Sequence, residues 1–293
     1  MDTQILKGKP VSDSLRSQLS LRINKLKDIG IVPSLSVILV GNDPASSIYV
    51  NTKARVFNKL GCNSKIIRVE NDSTEANVLN LIEQQNNDIS CHGILVQLPL
   101  PNHIDESKII EAIAPGKDVD GFHPYNLGRL LSGSPSFVPC TPSGIIEIMK
   151  FYEISISGSN TVIIGRSNIV GKPMYALLSQ NFDFGNSTVT MCHTKTRDLS
   201  SFTKEANIII AAVGVPHFVT ADMISEGVDI IDVGINRVDD QSEKGYSIVG
   251  DVDFDSVLGI ARSITPVPGG VGIMTVTMLL NNTIQSAEIS SYK

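Results

Sequence analysis

Thr161-Val162-Ile163-Ile164-Gly165-Arg166-Ser167-Asn168-Ile169-Val170-Gly171-Lys172-Pro173 is the stretch whose reading decides the fold. Its first four residues, apolar or β-branched, read as a buried strand. Gly165 opens a turn, and a helix is predicted near Pro173 to Gln180. A strand that passes through a glycine turn into a helix N-terminus is the setting in which backbone N–H groups and the helix dipole hold a pyrophosphate. The spacing departs from G-x-G-x-x-G, so the segment reads either as a dinucleotide turn or as an ordinary βα connection.

The same alternation of strand and helix extends in both directions. Downstream, strands are predicted at Thr188–Cys192, Ile208–Val213 and Asp229–Val233, with helical segments between the first three. Pro266 to Gly272 form a Pro/Gly-rich segment before a last helical stretch, Met274 to Glu288. Upstream, Val11, Leu15, Leu19, Ile23 and Leu26 fall on one helical face that Gly30 ends. Leu35 to Val40 read as a strand. Asp43-Pro44 supply an N-cap and a first-turn proline for a helix to about Leu60. A strand at Ile66 to Val69, a helix at Glu75 to Gln85 and a strand at Gly93 to Leu98 complete a β-α-β-α-β unit. Such apolar strands suit a parallel sheet covered on both faces. Residues 115–142 carry five prolines and four glycines and read as a loop-rich boundary leading into a helix at Ser143 to Tyr152.

A chain of 293 residues fits two domains better than one. The net charge of −6 excludes the basic stripe of a nucleic-acid binder. Cys62, Cys91, Cys140 and Cys192 are widely spaced, without C-x-x-C or metal-ligand intervals, so reduced thiols and no metal are expected. No targeting peptide is visible, and no apolar run approaches the ~20 residues of a membrane span. A cytoplasmic protein with no membrane or nucleic-acid partner is expected.

Which dinucleotide the turn would hold depends on the next strand. NAD-binding units place a carboxylate near its end to bond the ribose 2′-OH. Here it ends Cys192-His193-Thr194-Lys195-Thr196, with no carboxylate. Hydroxyls and cations suit a 2′-phosphate, and Arg166 can reach it from the first turn, so NADP is favoured. The alternative for His193 and Lys195 is a solvated loop.

Tyr49 and Lys53 lie four residues apart and share a helix face with Val56, Phe57 and Leu60. A lysine on an apolar stripe either snorkels to solvent or is held for chemistry, in which case desolvation lowers its pKa toward neutrality. The Y-x-x-x-K spacing also occurs in short-chain dehydrogenases, but there it follows the nucleotide unit; here it precedes Gly165 by more than 100 residues. Strand Gly93 to Val96 runs into Gln97-Leu98-Pro99-Leu100-Pro101, which places the Gln97 amide at the carboxyl edge of a sheet. Asp120, before Gly121, reads either as a turn-forming residue or as a ligand carboxylate.

Taken together, Ser47-Ile48-Tyr49-Val50-Asn51-Thr52-Lys53, Val96 to Pro101, Lys117 to Phe122, Gly165 to Pro173, Thr188 to His193, Asp232 to Asn236, Gly250 to Phe254 and Thr265 to Gly272 resemble, in order, the bifunctional methylenetetrahydrofolate dehydrogenase/methenyltetrahydrofolate cyclohydrolase family. The resemblance implies two α/β domains: a folate-binding catalytic domain over 1–140, completed by a returning C-terminal helix at 273–293, and a Rossmann-like NADP-binding domain over 141–272. It implies that Lys53 is the catalytic lysine, Gln97 its orienting partner, Tyr49 the ring that packs on folate and Asp120 the pterin-binding carboxylate. Val96, Leu98, Pro268, Gly269, Gly270, Val271 and Gly272 match substrate-contacting positions. Gly165, Arg166 and Ser167 match the cofactor turn, Ile235 a cofactor contact and Thr194 a hydroxyl beside the 2′-phosphate. Tetrahydrofolate derivatives as substrates, a role in one-carbon metabolism and a homodimer are implied as well. Two departures stand out: the segment Asn181 to Ser187 is longer than in relatives, and Ile273 replaces an expected proline. The altered loop leaves open a dehydrogenase with little cyclohydrolase activity; a non-catalytic nucleotide-binding protein is the other alternative.

Overall fold

The computed structural model describes residues 2–241 and 245–291. In chain order the first elements are β1 (Gln4–Ile5), α1 (Gly8–Asp28), β2 (Ser34–Val40), α2 (Pro44–Lys59), β3 (Asn63–Val69), α3 (Glu75–Asn87) and β4 (Gly93–Val96). Next come α4 (Glu106–Ala112), α5 (Pro124–Leu131), α6 (Cys140–Phe151), β5 (Asn160–Ile164), α7 (Gly171–Leu178), β6 (Thr188–Cys192) and α8 (Leu199–Thr203). The chain finishes with β7 (Ile208–Ala211), β8 (Asp229–Asp232), β9 (Asn236–Asp239), β10 (Tyr246–Val249), α9 (Phe254–Val257), β11 (Ser263–Ile264) and α10 (Val271–Ser290). Among the described residues, no helix is long and apolar enough to cross a membrane.

Two compact units result: residues 15–140 with 276–293, and residues 1–14 with 141–275. In the first, three parallel strands lie in the order β3-β2-β4. The central strand, β2, is buried almost throughout, as its Leu35-Ser36-Val37-Ile38-Leu39-Val40 run requires. Ile38, Val40, Ile94 and Val96 meet Val78 and Ile82 of α3 and Ile109 of α4 in one apolar core. Asp43 caps α2 by accepting from the Ser46 N–H at 2.7 Å, with Pro44 in the first turn, as the sequence predicts.

The C-terminal part of α10 belongs to this unit and is held by side chains. Asn282 donates to the carbonyls of Val119 (2.9 Å) and Val138 (3.0 Å), and Ser286 to those of His92 (2.6 Å) and Gly116 (2.9 Å). Arg22 of α1 makes a two-pronged pair with Glu288. These bonds satisfy loop carbonyls that have no sheet partner.

In the second unit six parallel strands lie in the order β1-β11-β8-β7-β5-β6. Its core runs through Val162, Ile164, Ile209, Ala211 and Ile230. Strand order reverses at β5, which has β6 on one side and β7 on the other. The crevice beyond the carboxyl ends of strands at such a reversal is where α/β sheets bind ligands. Residues 1–14 group with this unit, whereas the sequence reading places them with the catalytic domain. The two-residue β1 pairs with β11, and a strand that short carries no periodicity to read.

Candidate active site

Two clusters of chemistry-bearing residues form, one in each unit. In the first, α2 and the carboxyl end of β4 bring Lys53 and Gln97 together: Lys53 Nζ donates to Gln97 Oε1 at 2.9 Å. Gln97 is itself held, its Nε2 donating to the Leu98 carbonyl at 2.7 Å. Lys53 is only 8% exposed, so it does not snorkel into solvent. Burial pulls its pKa below the ordinary lysine value, and the Asp120 charge pulls the other way. The Asp120 carboxyl is pushed up by burial, with Lys53 opposing. Burial thus displaces both groups toward their neutral forms.

Asp120 is not the turn-former that its place before Gly121 permits. That role falls to Asp118, which is 1% exposed. Its carboxylate accepts from the N–H groups of Gly121 (3.1 Å), Phe122 (3.3 Å) and His123 (2.8 Å) and from Asn126 Nδ2 (2.8 Å). Asp118 thus locks the turn. Sequence reasoning singles out neither Asp118 nor Cys140. The Cys140 thiol is buried and donates to the Val119 carbonyl at 3.4 Å; burial first, and then the Asp120 charge, push it well above the usual thiol range, so it stays protonated. Tyr49, one turn before Lys53, is 48% exposed. Val96 is nearly buried and Leu98 partly so, beside Asp120 around one small apolar hollow.

The second cluster sits at the β5 reversal. Gly165 has φ +128, and a Cβ there would run into the Ala212 carbonyl oxygen. A Cβ at Gly171 would run into the Gly165 carbonyl. The turn is therefore closed to side chains and leaves room for backbone to approach a ligand. Ser167 Oγ accepts from the N–H groups of Val170 (3.0 Å) and Gly171 (3.4 Å) ahead of α7, which begins two residues earlier than the sequence predicts. Arg166 and Ser167 are exposed on the rim. After β6, His193 and Thr196 close a short turn, with the Thr196 hydroxyl accepting from His193 N at 2.9 Å, which leaves Thr194 and Lys195 exposed. Glycine-built turn, helix N-terminus and a strand end without carboxylate fit a phosphorylated dinucleotide.

Ile235, 52% exposed, lies beside Gly272. Pro268 to Gly270 form the predicted turn, but Val271 and Gly272 already belong to α10. Ile273 falls in the first turn of that helix, and its N–H donates to the Gly270 carbonyl at 3.3 Å, a bond that a proline would lack.

Models of known protein families match both halves of the chain. The catalytic-domain model of tetrahydrofolate dehydrogenase/cyclohydrolase matches residues 6–120, and its NAD(P)-binding-domain model matches residues 139–291. The chain belongs to the tetrahydrofolate dehydrogenase/cyclohydrolase family. A bifunctional FolD protein of Chlorobium phaeobacteroides is 52% identical over 97% of each chain. The crystal structure of the bifunctional FolD enzyme of Campylobacter jejuni is 48% identical with a TM-score of 0.92, covering 98% of this chain and 99% of that one. FolD of Trypanosoma brucei, solved with NADP and an inhibitor, is 33% identical with a TM-score of 0.94 and covers both chains fully. As a member of this family the chain is an enzyme of folate chemistry with an NADP-binding domain.

Proposed function

We propose that this enzyme carries out two consecutive reactions on one folate carbon. The first is NADP-dependent oxidation of 5,10-methylenetetrahydrofolate to the 5,10-methenyl cation; the second is hydrolysis of that cation to 10-formyltetrahydrofolate. The carrying observation is Lys53, buried on Gln97 and displaced toward the neutral amine, in a chain that matches bifunctional relatives over nearly its whole length.

In this reading Tyr49 stacks on the pterin, Asp120 accepts from its amino and ring N–H donors, and Val96 and Leu98 line its apolar edge. Pro268, Gly269, Gly270, Val271 and Gly272 are further substrate contacts. Gly165 and the α7 N-terminus receive the pyrophosphate, while Arg166, Ser167 and Thr194 hold the ribose phosphate and Ile235 packs on the cofactor. The Ser167 oxygen is occupied as an acceptor, so its O–H remains available as a donor. Bound NADP⁺ supplies the two-electron oxidant. The protein's share of that step is positioning.

Hydrolysis needs proton handling. Water adds to the methenyl carbon, and neutral Lys53 takes the proton that water loses. The resulting ammonium returns it to N5 as the carbon–N5 bond breaks, and the remaining hydroxyl proton passes to the freed amine and on to solvent as the formyl C=O forms, so that one proton is released per turnover. Gln97 fixes the amine by accepting one of its N–H bonds and so aims its lone pair. The same reading places the enzyme in the cytoplasm as a homodimer. A spectrophotometric assay with methylenetetrahydrofolate and each dinucleotide, following the methenyl product and its decay, tests the proposal. Formation without enzyme-dependent decay would reduce the protein to a dehydrogenase.

Two side chains give graded expectations. Asp120 holds the Lys53 pKa up against desolvation. Asp120→Asn is therefore expected to move the alkaline rise of the hydrolysis rate to lower pH, because neutral lysine then forms earlier. The folate KM should rise about tenfold from the weakened hydrogen bonds. A pH profile that stays in place would exclude Lys53 as the titrating group. Arg166→Ala should raise the NADP KM about 30-fold through loss of a charge-assisted phosphate contact, with kcat little changed and NAD turnover unaffected. Equal losses with both dinucleotides would remove the arginine from the 2′-phosphate.

A further inference from the structure

We infer that Asp251 is a positioning residue for dinucleotide binding, acting through the backbone of Val213 to Val215. The inference rests on the reading that the Gly165 turn receives NADP.

Asp251 is fully buried. Its Oδ2 accepts from the N–H groups of Val213 at 2.6 Å and Gly214 at 2.9 Å, and its Oδ1 from Val215 N at 3.1 Å and Asn236 Nδ2 at 2.8 Å. Three successive backbone N–H groups thus converge on one carboxylate, an arrangement usually reserved for bound anions. The three residues follow β7, next to β5 in the sheet, at the edge where the glycine turn stands. In a trans peptide the carbonyl points opposite to the following N–H. Drawing the N–H groups of Val213, Gly214 and Val215 toward Asp251 therefore turns the carbonyls of Ala212, Val213 and Gly214 away from it. The Ala212 carbonyl is the atom that a side chain at Gly165 would strike, and the Ala212 N–H donates to the Ile164 carbonyl at 2.9 Å. The loop and the glycine turn are one continuous surface.

A second carboxylate fixes the first. Asp232, at the end of β8, accepts from Asp251 N at 2.9 Å, Gly234 N at 2.9 Å and Val252 N at 3.0 Å. A Cβ at Gly250 would enter the Asp232 carboxylate, and one at Gly234 would enter Asp251. Bare backbone at both positions is what lets the two acids pack against these loops. Asn236 adjoins Ile235, so Asp251 joins the loop behind the glycine turn to the segment carrying Ile235. Losing it frees both at once, whereas the Lys53 cluster contains none of these atoms.

Kinetics of the full-length Asp251→Asn enzyme test the inference, with NADP titrated in the oxidation and methenyltetrahydrofolate supplied directly, without dinucleotide, for hydrolysis. The amide places an N–H₂ group against backbone N–H donors. The expected result is an NADP KM raised about 30-fold, kcat at saturation within about threefold, and hydrolysis within about twofold of wild type. An unchanged KM, or hydrolysis lost in step with oxidation, would overturn it, the latter because it marks a general structural role. If that variant does not fold, Asn236→Ala, which removes one of the four donors, decides by the same split with a KM rise of about fivefold. Absence of dinucleotide-dependent oxidation in the wild-type enzyme would instead defeat the reading of the glycine turn, whatever the variants do.

Discussion

Lys53→Met is expected to abolish hydrolysis of the methenyl cation, with a loss on the order of 10³-fold in kcat. Methionine keeps the length and flexibility of the side chain and removes only the ammonium. The surrounding stripe of α2 is apolar, with Val50 and Phe57 fully buried, so the helix loses no packing partner. The desolvation penalty carried by the lysine also disappears, and thermal stability should hold or rise. What vanishes is the one group beside Gln97 able to take a proton from water and return it to N5. Rapid mixing with methenyltetrahydrofolate and following its disappearance measures the effect. Decay at the wild-type rate would sink the assignment, and decay slowed only threefold would reduce Lys53 to a binding group.

The converse loss is expected from Gly171→Ala. A methyl group there collides with the carbonyl oxygen of Gly165, with its carbonyl carbon at 2.7 Å and with Arg166 Cα at 2.9 Å. All three are backbone atoms, so no rotamer change relieves the clash, and the turn must open or α7 must retreat. Overpacking of this kind costs about 1–3 kcal/mol. The greater damage is to the spacing between glycine turn and helix N-terminus on which pyrophosphate binding depends. The NADP KM should rise at least about 100-fold, equivalent to roughly 2.7 kcal/mol of lost binding. Hydrolysis of supplied methenyltetrahydrofolate should persist. Dinucleotide titration of both activities checks the pair of expectations, and a Gly171→Ala enzyme with normal NADP affinity would show that the turn does not hold the pyrophosphate.

The features most legible in the sequence are those written in local chemistry. Asp43-Pro44 marks the start of α2 because cap and first-turn proline act within four residues. The strand–glycine–helix run at Thr161 to Pro173 is equally self-contained. Lys53 is ambiguous alone, since its environment is made by Gln97 and Asp120, 44 and 67 positions away in the chain, and only tertiary contact decides between solvent and burial. Residues 115–142 read as loop, yet Pro124–Leu131 form α5. The proline density that signals a loop includes Pro124 at the start of that helix, capped by His123 accepting from Tyr125 N. Asp118 and Cys140 escape notice because their significance is an address: one gathers N–H groups from the turn beyond it, the other abuts Asp120. The hairpin of β9 and β10 and the short strands β1 and β11 are too brief to show a period.

The division of α10 has a consequence for how the molecule comes into being. The helix begins in the nucleotide unit, and from Val276 onward it belongs to the catalytic unit. Asn282 and Ser286 supply the donors for carbonyls laid down at positions 92, 116, 119 and 138. A chain emerging from the ribosome thus presents its folate-binding half early and must leave four of its carbonyls waiting while the entire six-stranded sheet is synthesised. The nucleotide unit, contiguous after its N-terminal strand, can mature first. The catalytic unit, though it is synthesised first, thus gains these four partners only when the last helix of the chain is made.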